Sequence, residues 1–221
     1  MTNIKENNLV DFYKFLHGDT SLRDLESLVC RQTELERQFD RDVYLELIGF
    51  DFRDKNAGNR LKAFILKHLV HEGQFETWKL KSLLSAFLTE VPNLPRHLDQ
   101  CYRSYCGVYE DDGRRKYAYK FMGNLGLNYL YWMDEGYLKN NYGDNWKKEY
   151  EKYLDHFGFY HAQLKPFAVE ILEALNSGEI RILDDGTYTI SEDLAAKLES
   201  ETPYTLQHPE LPPGHGLADA P

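Results

Sequence analysis

A chain of 221 residues with 42% hydrophobic and 14% aromatic content carries enough apolar surface for one large folded domain or two small ones. Its formal net charge is −10, distributed as −4 over residues 1–58, +1 over 59–175 and −7 over 176–221. So acidic a chain repels phosphate backbones, which argues against a nucleic-acid partner, and it attracts basic proteins.

In chain order, most segments carry helical periodicity. Leu9, Phe12, Tyr13 and Leu16 recur at helical spacing, with Gly18 placed to end the helix. Ser21 stands three residues before Asp24 and starts a second helix whose apolar face is Leu22, Leu25, Leu28 and Val29. "DVYLELIGF" gives a helix with Val43, Tyr44, Leu47 and Ile48 aligned. "NRLKAFILKHLVHEG" aligns Leu61, Phe64, Ile65, His68 and Leu69, with Gly73 as its stop. "ETWKLKSLLSAFLTE" is a helix ended by Pro92 and Pro95, and "HLDQCYRSYC" is another. "GVYEDDGRR" is polar and bounded by glycines, a loop. Helices are predicted over 116–133, 145–157 and 161–176. Within the first, Leu125, Tyr129 and Trp132 share a face, and Gly123 and Gly126 allow close approach of a second helix. Beyond Trp132 the period fails, and "MDEGYLKNNYGDNW" reads as a surface loop.

The pattern changes after Ser177. "EIRILDDGTYTI" alternates apolar and polar residues about "DDG", the signature of a β-hairpin over about residues 179–190. "SEDLAAKLE" is a short capped helix, and the proline- and glycine-rich segment 203–221 is expected to be an extended or disordered tail. The predicted fold is mainly α: one multi-helix, bundle-like domain over 1–202 with a small C-terminal β-hairpin.

No stretch approaches the roughly 18 apolar residues of a membrane span. "MTNIKENNLVDF" has no signal-peptide pattern, and three cysteines make no disulfide framework. These features lead us to expect a reduced, cytoplasmic protein with no membrane partner.

Candidate chemistry is sparse. His68 and His71 sit one turn apart, but "HLVHE" is not a zincin pattern and no third ligand stands nearby. Cys101 and Cys106 lie in an aromatic helical stretch that suits packed cysteine. "GNLG" matches neither phosphate-binding glycine pattern, and no strand precedes it. The pairs Asp111–Asp112, Asp134–Glu135 and Asp184–Asp185 adjoin glycines, as turn residues do. Neither cofactor nor metal is expected, and no catalytic set emerges.

One long block, "LVDFYKFLHGDTSLRDLESLVCRQTELERQFDRDVYLELIGFDFRDKNAGNRLKAFI", resembles the N-terminal region of small bacterial immunity-like proteins. These are encoded beside polymorphic toxins, including those of contact-dependent growth inhibition systems. A second zone, "CYRSYCGVYEDDGRRKYAYKFMGNLGLNY", is similar to their tyrosine-, cysteine- and glycine-containing stretch. It departs from the pattern by inserting "VYEDDGRRKYAY" and by reading "GLNYLY" where a further glycine is usual. The resemblance spans residues 9–70 and, more thinly, 101–130, and it implies a non-enzymatic protein that binds and neutralises a cognate toxin domain. A basic nuclease would suit the acidic charge. The acids beside irregular aromatic stretches are the partner-binding candidates: Glu110, Asp111 and Asp112, then Asp134 and Glu135 beside Tyr137. Two other readings stand beside this one, a helical adaptor or regulatory protein and a small hydrolase using groups such as Asp155, His156 and His161.

Overall fold

A computed structural model describes residues 6–31, 35–89, 93–111 and 113–199. Asp112 and the expected tail over 203–221 lie outside the described residues. The fold is mainly α, with a small antiparallel hairpin near the C-terminus, as the periodicity predicts. The contacts gather into two units, residues 1–79 and 80–221, each with its own hydrophobic cluster.

The first unit begins with α1 (Glu6–His17) and α2 (Leu22–Arg31). Gly18 takes φ +98, and the amides of Gly18 and Asp19 close on the Lys14 carbonyl at 2.9 and 2.8 Å, which ends α1. Ser21 Oγ accepts the Asp24 amide at 3.2 Å and donates to its carboxylate at 2.6 Å, which starts α2. After α3 (Leu35–Gln38) and α4 (Arg41–Ile48), the chain turns through Asp51–Asn56 into α5 (Ala57–His68). Asp54 organises that turn. It accepts the Asn56 amide at 2.7 Å and Arg60 at 2.6 Å, and these two bonds, the amide first, hold its carboxyl below the ordinary aspartate value. Phe12, Leu25, Leu35, Leu47, Leu61 and Ile65 fill the centre. The Tyr13 ring packs at a tilt against Phe75 and Trp78 in the first turns of α6 (Glu72–Thr89). Gly73 does not stop α5: the amides of Leu69 and Val70 close on Ile65 and end that helix earlier, and Gly73 falls in the first turn of α6.

In the second unit, α7 (Leu94–Cys106) packs on α8 (Gly123–Met133). Pro95, expected to end the helix before it, sits in the first turn of α7, where its missing N–H costs nothing. A Cβ at Gly126 would stand 2.8 Å from Tyr102 Cα and 3.0 Å from the Cys101 carbonyl oxygen, so this glycine sets the spacing of the pair. Leu125 and Trp132 are buried, and Tyr129 is half-buried.

Two segments differ from the sequence reading. The loop at "GVYEDDGRR" contains a second hairpin, β1 (Val108–Tyr109) with β2 (Arg115–Lys116), pairing Val108 with Lys116 and Tyr109 with Arg115. Consequently, residues 116–133 are not one helix. The Tyr117 amide bonds Gly186 at 3.2 Å and the Tyr119 amide bonds Ser104 at 2.9 Å, so tertiary bonds take donors that a helix would use, and α8 starts only at Gly123. The supposed loop after Trp132 holds α9 (Glu135–Tyr142). Its single buried anchor is Leu138, and one buried residue in eight leaves no apolar period to read.

Next come α10 (Trp146–Asp155) and α11 (Phe157–Ser177), then β3 (Arg181–Ile182) and β4 (Tyr188–Thr189), then α12 (Glu192–Leu198). The C-terminal hairpin pairs Arg181 with Thr189 and Ile182 with Tyr188. Its turn is the expected one: Gly186 has φ +80, and Asp185 accepts both the amide and the hydroxyl of Thr187. Ile180 and Ile182 are buried against the core, and Tyr188 packs edge-on to Phe121 at 5.0 Å.

Candidate functional site

The acids singled out by sequence fall in two places on the second unit. Glu110 and Asp111 form the turn of the β1–β2 hairpin, both exposed. The Glu110 amide bonds the Arg114 carbonyl at 2.8 Å and the Gly113 amide bonds the Glu110 carbonyl at 2.9 Å. The Glu110 carboxylate faces Arg114 at 3.6 Å, an exposed pair of small energetic weight. On β1, Tyr109 lies under the Arg115 guanidinium, whose carbon is 4.8 Å from the ring centroid and whose N–H donates to the phenol oxygen.

Asp134 and Glu135 sit where α8 turns into α9. Asp134 is the N-cap of α9 and accepts the Tyr137 amide at 2.8 Å. Glu135 pairs with Lys139 one turn on, and the Tyr137 ring packs against Tyr131 at 5.4 Å. Thus Asp134 has a structural duty, and Tyr137 is half-buried by its own neighbours.

Beside this junction, α8 and α10 leave a groove of about 530 Å³, lined by Tyr129, Asp134, Glu135, Trp146, Tyr150 and Glu151, among others. Its α10 residues were not singled out by sequence. The signal was present in "WKKEYEK": Trp146 and Tyr150 are one turn apart, separated by charged residues, as on a half-exposed helix face. Lys139 and Lys147 each hold an ammonium over the Trp146 ring, at 5.2 and 5.8 Å, so this ring already attracts cations.

The α7–α8 pair carries further tyrosines. The Tyr102 ring meets Tyr129 at 5.9 Å. A side-chain hydrogen bond with Cys106, then burial, then the charge of Asp134 push the Tyr102 phenol up to about 12. Tyr129 is also raised, first by burial and then by the carboxylates of Asp99 and Asp134. At neutral pH these phenols are neutral groups that donate and accept hydrogen bonds.

The groups weighed for catalysis do not converge. His161 is buried, with Nε2 2.8 Å from the Phe87 carbonyl and its ring on Phe87. His156 follows the last residue of α10 and packs against Tyr160, and Asp155 is exposed at the end of α10. Burial pushes the Cys101 thiol far up, which suppresses the nucleophilic thiolate. His68 is exposed with its ring near Phe64, and among the described residues no three His, Cys, Asp or Glu side chains gather in a metal-binding group. No described helix is long and apolar enough to cross a membrane. No protein family, curated protein or solved structure matches the chain.

Proposed function

We propose that this protein is an immunity-type inhibitor that binds a cognate bacterial toxin domain in the cytoplasm and blocks it without chemistry of its own. One observation supports the reading most: the second unit displays half-exposed aromatic rings among carboxylates, in the α8–α10 groove and on the β1–β2 hairpin. Aromatic anchors within a charged rim are what a tight, specific protein interface uses. The net charge of −10 favours a basic partner, and charge complementarity speeds its capture. The resemblance of residues 9–70 to immunity-like proteins supplies the class of partner.

The test uses the C-terminal domain of the protein encoded immediately upstream, inactivated by mutation and purified. Mixed with the full chain, it should co-elute as an equimolar complex whose affinity falls as salt rises. Separate elution at low salt would refute the inhibitor reading.

A further inference from the structure

The β1–β2 hairpin is built to project. Val108 and Tyr109 are neighbours on a strand and so point to opposite faces, yet they are 62% and 65% exposed. A hairpin packed on a core covers one face. This one covers neither at β1.

Its base, by contrast, is locked. Gly107 has φ +69, and a Cβ there would stand 2.6 Å from the Lys116 carbonyl oxygen and 2.8 Å from Ala118 Cβ. Tyr117 takes φ 59, a costly conformation for a residue with a side chain, and its amide is held by the Gly186 carbonyl. Gly186 in turn leaves room for Lys116: a Cβ there would lie 2.5 Å from Lys116 Cγ. A fixed base sets the direction in which β1 projects and so reduces the conformational freedom that has to be lost on binding.

The charges are ordered too. Arg114 turns to Glu110 and Arg115 to the Tyr109 ring, while Lys116 lies over Gly186 with its ammonium near the Tyr117 ring and the Asp185 carboxylate. The tip then leads with Glu110 and Asp111, both exposed. We propose that the hairpin is a pre-formed finger that enters a cleft in a basic protein domain. Val108 and Tyr109 are its apolar anchors, Arg115 positions the Tyr109 ring, and the tip carboxylates meet basic groups on the cleft wall. This rests on the inhibitor reading and names the element that does the blocking.

The experiment measures binding of the inactivated upstream-encoded domain to four full-length proteins: wild type, V108S/Y109S, R115A and, as a remote control, L45S in the first unit. Leu45 is 50% exposed, and the substituted hairpin residues are exposed, so all four should fold, which circular dichroism checks. V108S/Y109S should bind at least about 30-fold more weakly, the mark of a central anchor. R115A should fall between it and wild type, and L45S should match wild type. In addition, a photo-crosslinking residue at position 109 should mark the domain's active-site cleft. Unchanged affinity of V108S/Y109S, or a crosslink outside the cleft, with wild type still binding, would overturn the finger and leave the inhibitor reading standing. If wild type itself does not bind, the inhibitor reading fails and the finger fails with it.

Discussion

Asp134 illustrates how a residue can be chosen for its charge and turn out to hold its place by hydrogen bonding. As the N-cap of α9 it satisfies the Tyr137 amide, so Asp134→Ala should cost about 1 kcal/mol in denaturant unfolding, while Asp134→Asn should cost far less. Equal losses would mean that the carboxylate charge, not the cap, is what matters. Gly126→Ala should cost about 1–3 kcal/mol, because the new methyl group meets the α7 backbone, which cannot swing aside as a side chain tip does. The tyrosines give a pH signature. Tyr102 is raised to about 12, chiefly through Cys106, and burial raises Tyr153 and Tyr188. The folded state keeps these protons longer than the unfolded chain, whose tyrosines ionise near ~10. Their contribution to folding is therefore complete below about pH 10 and drains away as the pH rises through the folded values. Tyrosinate absorbance should show a delayed fraction in the native protein that merges with the rest in denaturant. A single native transition near the ordinary tyrosine value would contradict these environments.

Among the elements, the two hairpins differ in how each was coded. The C-terminal one was legible because its alternation has a core to face: Ile180 and Ile182 are buried, and "DDG" supplies the turn. Ile182→Asp with Ile190→Asp should therefore lower the melting temperature markedly, since a carboxylate replaces a buried side chain at residue 182. An unchanged melting temperature would mean the hairpin carries no core packing. The β1–β2 hairpin escaped notice because neither face of β1 is buried, so no alternation is written in "VYEDDGRRK". Likewise α9 was hidden by having Leu138 as its sole buried residue, and Gly73 misled because the amides of Leu69 and Val70 close on the Ile65 carbonyl and end α5 before Gly73 is reached. Helices with a clear apolar face were readable, as in α1, α2, α4, α5, α6 and α7. Of the candidate site, the acids were visible as residue types, but which of them cap, pair or project depends on the fold around them. Trp146 and Tyr150 became part of a groove only once α8 and α10 stood side by side.

At the scale of the whole molecule, the proposed function rests on complementarity between an acidic chain and a basic domain. Exposed acids that steer encounter act on the association rate, whereas seated rings act on dissociation. Charge reversal at Glu110, Asp111 and Asp112 together with Glu135 should slow association with the upstream-encoded domain at low salt. The effect should fade at high salt as screening removes it. Tyr137→Ala should instead shorten the lifetime of the complex. Loss of binding that is independent of salt would point to local unfolding rather than steering. The most direct test of the central claim is protection in cells. The active upstream-encoded domain, expressed alone, should arrest bacterial growth, and co-expression of this chain should restore it, with V108S/Y109S restoring it poorly. Growth arrest that persists in the presence of abundant, folded wild-type protein would contradict the account.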